Sequence, residues 1–195
     1  MPQRDTSFAR LVSLAAHDLR TPLATIHGFA QTLARLGGLE QPRDRYVEMI
    51  VAAARQLTEL LDELSLAARI EGNRFEPNLQ PVDTLELARD AANALGADRV
   101  RVLGKGGRVR VDVEATRRGV TALVQAALRH GGLDEVECRA DGAELRIAPV
   151  TSSSAEVLLG ADLRDLGPAV AVLLVQAIGG SLVRTGDAVV VRLPT

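Results

Sequence analysis

The chain has 195 residues, 47% hydrophobic but only 2% aromatic, so it can fill one large or two small domains with an aliphatic core. So few rings exclude an aromatic platform for single-stranded nucleic acid, and a net charge of −2 gives no broad attraction to DNA or anionic membrane. A single cysteine, Cys138, excludes an internal disulfide and a cysteine-based zinc site, and fits a reducing compartment.

From the N-terminus, Met1 to Arg10 contains no apolar signal-peptide core. No apolar run in the chain reaches the roughly 18–20 residues that cross a bilayer. The expectation is a soluble, cytoplasmic protein with no membrane insertion and no nucleic-acid partner. Phe8, Leu11, Ala15, Leu19, Pro22, Ile26, Phe29, Leu33 and Leu36 then step by threes and fours, as on one face of a helix. Gly37-Gly38 stops that helix, and Pro42 and Asp44 open another. Tyr46, Ile50, Ala53, Leu57, Leu60, Leu64 and Ala67 repeat the stepping, with Ala54, Leu61 and Ala68 widening the stripe. Two such helices with a short link predict an antiparallel hairpin. Its apolar face is too wide to bury alone. Pairing with a second copy gives a four-helix bundle, so a homodimer is expected.

Gly72, Asn73, Pro77 and Pro81 mark a linker, and a domain boundary is expected near residue 78. The two domains are then 1–78 and 79–195. Beyond the linker the pattern becomes mixed. Asp83 to Leu95 reads as a helix capped by Asp83 with Glu86 at its third position. Val100 to Leu103 and Val109 to Val113 alternate like strands, and Gly104-Lys105-Gly106-Gly107 between them reads as a hairpin turn. It lacks the spacing of a phosphate-binding loop. Ala115 to His130 is helical. Val136 to Ala140 and Glu144 to Ala148 form a hairpin around Asp141-Gly142. Gly167 to Ile178 is an apolar helix stopped by Gly179-Gly180. Ser181 to Arg184 and Ala188 to Leu193 close the chain as a hairpin around Gly186-Asp187. The sum is three helices on a mostly antiparallel sheet, an α+β two-layer sandwich. The fold class is therefore a two-domain one, α + α/β, with the helical hairpin first.

The chemistry concentrates in Ser13-Leu14-Ala15-Ala16-His17-Asp18-Leu19-Arg20-Thr21-Pro22-Leu23. His17 lies two residues from both Ala15 and Leu19, about 200° from each around a helix, and so faces solvent. A solvated imidazole is nucleophilic at neutral pH and can accept a phosphoryl group on nitrogen. Asp18 can orient or deprotonate the ring. Thr21, four residues on and on the same face, can hold a water or a phosphoryl oxygen. Arg20 can offset phosphate charge. Pro22 offers no N–H and clashes one turn back, which predicts a bend beside the histidine. His27, ten residues further on, reads as a packing or surface residue.

His17-Asp18-Leu19-Arg20-Thr21-Pro22-Leu23 closely resembles the phosphoacceptor box of two-component sensor histidine kinases. Leu60-Leu61-Asp62-Glu63-Leu64 and Ala68-Arg69-Ile70-Glu71-Gly72 extend the likeness to their dimerisation and histidine-phosphotransfer domain. Val111-Asp112-Val113, Ala127-Leu128-Arg129-His130, Val175 to Leu182 and Val189 to Pro194 resemble their ATP-binding domain of the Bergerat type. The resemblance implies an asparagine pair on the first long helix, the second holding magnesium and phosphates; here Ala122 and Ala126 stand there. It implies an Asp-x-Gly-x-Gly box reading adenine; here Pro149 stands at the aspartate and Thr151 and Ser153 at the glycines. It implies a Gly-x-Gly helix start holding phosphates; here Asp165-Leu166-Gly167-Pro168 stands there. A methyl group cannot ligand a hard cation, proline brings no acceptor side chain, and a carboxylate repels phosphate. The segment between these two boxes, about Ser154 to Arg164, reads as a short lid. His130 and Cys138 read as structural.

The expected function is that of a histidine phosphotransferase in a phosphorelay. The resemblance implies that His17 carries phosphate between response-regulator receiver domains without ATP. No cofactor is expected in this chain, the receiver bringing its own magnesium. The alternatives are a phosphatase or sequestering partner of a response regulator, working through Asp18 and Thr21, and a catalytically dead partner of a true histidine kinase.

Overall fold

The protein is described by a computed structural model covering residues 3–36 and 42–195. It divides into two compact units, residues 1–66 and 67–195.

The first unit is helical. α1 runs Gln3–Leu36 and α2 runs Pro42–Glu71, whose last turn belongs with the second unit. α1 continues through Pro22 without a break. Phe29 of α1 stacks on Tyr46 of α2, ring centroids 5.4 Å apart. In a straight helix these residues would stand about 25 Å apart, so the chain reverses between them, and α1 and α2 form a hairpin. Gly37-Gly38, the expected helix stop, lie outside the described residues. The stepped apolar residues face the hairpin: Leu11, Ala15, Pro22 and Ala53 are buried, and Leu19, Ile26, Leu33, Ile50, Leu57 and Leu60 are half-buried. Ala54 and Leu61, expected to widen the stripe, are exposed, as are Val12, Leu23, Met49 and Val51.

The second unit places four helices on one face of a sheet. Its elements are β1 (Leu79–Asp83), α3 (Thr84–Leu95), β2 (Val100–Gly106), β3 (Arg108–Asp112) and α4 (Val113–Gly131), then β4 (Val136–Asp141), β5 (Glu144–Ala148), α5 (Ser152–Leu158), α6 (Leu166–Ala177), β6 (Ser181–Thr185) and β7 (Ala188–Arg192). The main sheet runs β2-β4-β5-β7-β6, parallel only between β2 and β4, and β1 pairs with β3 in a separate ribbon. Strand alternation sorts the two faces. Val136, Cys138, Ala140, Leu145, Ile147, Val189 and Val191 join the core with Leu87, Leu123, Val124, Ala127 and Leu158 from the helices. Arg101, Glu137, Arg139, Arg146 and Arg192 line the opposite face in ion pairs such as Arg192 to Glu144 at 2.7 Å.

Three local expectations are corrected. β1 forms inside the expected linker; Pro81 is tolerated because the ribbon has only two strands, both of them edges. Gly104–Gly107 is no hairpin turn, since β2 and β3 belong to different sheets. It is a junction where backbones meet: Thr84 N–H donates to Gly107 O (3.0 Å) and Gly142 N–H to Gly106 O (3.1 Å). The expected lid contains a helix, α5, started by a reciprocal capping box. Ser154 N–H donates to Thr151 Oγ1 (3.1 Å), and Thr151 N–H to Ser154 Oγ (2.9 Å).

Candidate functional site

His17 sits in mid α1 with an exposed side chain, its neighbour Ala15 being 1% exposed on the buried face. The same helical face carries Arg20, Thr21, Ala24, Thr25, Gly28, Phe29 and Thr32, spaced by threes and fours. These residues line an open groove of about 670 Å³. Its floor is low because Ala24 and Gly28 are small; a Cβ added at Gly28 would meet nothing within 4 Å. Two hydroxyls along it turn back on the helix, Thr25 to Thr21 O (3.1 Å) and Thr32 to Gly28 O (2.8 Å). Phe29, stacked on Tyr46, and Thr32 line its far end.

Of the box residues, the groove brings His17, Arg20 and Thr21 together. Asp18 is half-buried and Pro22 buried, both outside the groove lining. Pro22 has no N–H to offer the backbone carbonyl of Asp18, one turn back. His27 is exposed. Of the groove residues below Thr21, the apolar stepping in the sequence names only Phe29, and that as a packing position. Continuing the stepping by threes and fours from His17 names each of them.

The positions where the resemblance places nucleotide ligands gather around α4, on which both α5 and α6 pack. Ala122 is half-buried, and Ala126 is 1% exposed. Pro149, Thr151 and Ser153 are exposed where β5 passes into α5, and Thr151 is engaged as the cap of that helix. Gly167, Pro168 and Leu166 are buried at the start of α6. Asp165 holds the N-cap position of α6, yet its side chain caps no N–H of that helix. Instead Asp165 Oδ2 lies 2.9 Å from His130 Nε2 and 3.4 Å from an Arg129 guanidinium nitrogen, both at the end of α4. Nothing in the sequence pairs His130 with a residue 35 positions away. Around them Ala155, Val157 and Leu158 of α5 are buried. Among the described residues, no group of three or more His, Cys, Asp or Glu is placed to hold a metal ion.

Comparison with known proteins agrees with both halves. Residues 9–73 match the His Kinase A (phospho-acceptor) domain. The sensor histidine kinase TrcS of Mycobacterium tuberculosis is 34% identical over 91 residues, 46% of this chain and 18% of that protein. An uncharacterised sensor-like histidine kinase of Rhizobium meliloti, R01002, is 29% identical over 174 residues, 81% of this chain and 32% of that one. The chain thus spans a third or less of the length of these relatives. The solved structure of the Acinetobacter baumannii histidine kinase AdeS shares the fold, with a TM-score of 0.67 over 91% of this chain and 97% of that one, at 17% identity. No helix among the described residues is long and apolar enough to cross a membrane. With a phospho-acceptor segment at residues 9–73 followed by a domain that shares the fold of a histidine kinase ATPase domain, the chain is similar to the two-component sensor histidine kinases.

Proposed function

We propose that this chain is a histidine phosphotransfer protein: His17 takes a phosphoryl group from the aspartyl phosphate of one receiver domain and passes it to another. The observation that carries the reading is an exposed His17 on an open groove, in a chain where Ala126 is buried and Asp165 is paired to His130 at positions the resemblance gives to nucleotide ligands. An unprotonated ring nitrogen of His17 attacks phosphorus, the P–O bond to the receiver's carboxylate breaks, and the carboxylate leaves. The other ring nitrogen then releases its proton to water or to Asp18. Transfer onward is the reverse step on a second receiver. Arg20 offsets the charge of the transferred group, and the rest is positioning, which the preformed helix supplies. The receiver brings the magnesium.

ATP does not fit the residues present. Ala126 offers a packed methyl group where a metal ligand is needed. Asp165 puts a carboxylate, already paired to His130, at the helix start that would meet phosphate. Members of this family typically dimerise and interact with response regulators. Exposed Leu23 and Leu61 on the hairpin support a homodimer here. A cytoplasmic setting follows from the receiver partner.

The test is incubation with a phosphorylated receiver. Acid-labile, base-stable phosphate is expected on the protein and is lost in His17→Gln. Labelling of His17 by magnesium and ATP alone would overturn the reading and restore a kinase. Because Thr21 shares the groove with His17, a second reading is receiver phosphatase activity. In that case inorganic phosphate is released, and Thr21→Ala abolishes the release. A third outcome, phosphate arriving on His17 only when a true kinase forms a mixed dimer with this chain, would make it that kinase's catalytically dead partner.

A further inference from the structure

The connection between α5 and α6 has little backbone structure of its own. Gly160 N–H donates to Val157 O, and the Ala161 and Asp162 N–H groups donate to Glu156 O, which returns the chain only to the end of α5. From there to α6 the segment is held by side chains. Arg164 pairs with Asp162 inside the segment. The longer reach is made by Asp165, whose carboxylate meets His130 at 2.9 Å and Arg129 at 3.4 Å. His130 and Asp165 are 13% and 18% exposed, so this contact is nearly dry, where a charge-assisted hydrogen bond is strongest. Asp165 also stands at the start of α6, a place where a helix otherwise takes an anion from solution.

We propose that Asp165 is a built-in anion that, through His130 and Arg129, latches the α5–α6 connection onto the end of α4, so that this segment is held closed without any ligand. The geometry has three independent parts. Asp165 leaves its own helix uncapped in order to reach α4. Arg129, one residue before His130, brings a second donor of α4 to the same Asp165 oxygen at 3.4 Å. Buried Leu158 and Leu166, on either side of the segment, fix its two ends. The result is a constant surface at residues 159–165, one that does not open and close with nucleotide.

Hydrogen exchange on the intact protein tests this. In Asp165→Asn, and separately in His130→Gln, the amides of residues 159–165 are expected to exchange at least ten-fold faster, while those of β4, β5 and α4 keep their wild-type rates. The double variant is expected to go no further than either single one, because the two side chains act as one contact. Unchanged exchange in residues 159–165 would overturn the latch, and so would a uniform acceleration across the whole unit. The nucleotide question fails separately. If magnesium and ATP increase protection of residues 159–165 in the wild type, the ATP-free reading above is lost, while the latch is still decided by the variants measured without nucleotide.

Discussion

Two glycines make predictions of different size at the level of the single residue. Gly104 has φ +101°, and a Cβ there would lie 1.9 Å from the carbonyl oxygen of Ala140 on the paired strand. Neither backbone can move without breaking the sheet, so Gly104→Ala adds steric overlap to backbone strain, a cost of about 3 kcal/mol or more. Gly142 also has a positive φ, +59°, but its Cβ would meet nothing within 4 Å. There only the left-handed backbone term remains, about 1 kcal/mol. Urea unfolding of the two variants separates close approach from turn conformation. Cys138 gives a prediction in pH. Burial in the sheet, with the charge of Glu137 adding, pushes its thiol up to about 12. An unfolded chain ionises this thiol near 9, so above that pH the unfolded state binds fewer protons than the folded one. Stability contributed by the buried neutral thiol is complete below pH 9. It falls as pH rises toward 12, with a slope of up to about 1.4 kcal/mol per pH unit. Cys138→Ala flattens that slope, and native protein near neutral pH resists alkylation.

Among elements, α4 depends on its N-cap residue. Asp112 caps it by accepting from Ala115 N–H at 3.2 Å, and its other oxygen accepts the Asn78 N–H at 3.2 Å from the segment entering β1. One carboxylate thus orients both the central helix and the chain that leads in from α2. Asp112→Ala is expected to cost about 1–2 kcal/mol, the upper part of the capping range because two donors lose their acceptor, and Asp112→Asn is expected to recover only part of it, because its single amide oxygen can accept one of the two N–H groups. Thermal unfolding of the two variants measures the difference. The long elements were legible for the same physical reason that they form. Helical stepping in α1, α2 and α4 and the Asp-Gly and Gly-Asp turns of the last four strands are local signals. What was not legible depends on distant partners. β1 exists because β3 lies beside it, and its Pro81 argued against a strand. The run Gly104–Gly107 looks like a turn until the second sheet is known. α5 begins Thr-Ser-Ser-Ser, poor helix formers whose capping box uses a serine where Glu or Gln is the recognised signal. His17 was legible because its surroundings are one helix; the His130–Asp165 contact was not, because it spans 35 positions.

At the scale of the whole molecule, an exposed histidine on one unit is joined to a second unit that keeps the architecture of an ATPase domain. Of the positions where the resemblance places nucleotide ligands, Ala126 is packed in the core, Thr151 caps α5 and Asp165 pairs with His130. A ligand at a hundred times its dissociation constant stabilises a folded protein by about 2.7 kcal/mol, enough to raise the melting temperature of a unit this size by roughly 10 °C. Magnesium and ATP are expected to produce no such rise here. Nor is ATP binding expected to be gained by introducing single family residues. At 1% exposure, Ala126 lies among packed aliphatic side chains of the core. Ala126→Asn therefore brings in a larger side chain and a buried amide without partners, at a cost of about 1–3 kcal/mol for the amide alone. Asp165→Gly removes the partner of His130 and leaves that imidazole half-buried and unpaired. If the domain were a kinase that had merely lost affinity, these substitutions would raise the melting temperature in the presence of magnesium and ATP. Here both are expected to lower it, by the same amount with and without nucleotide, because the side chains they displace now serve the fold.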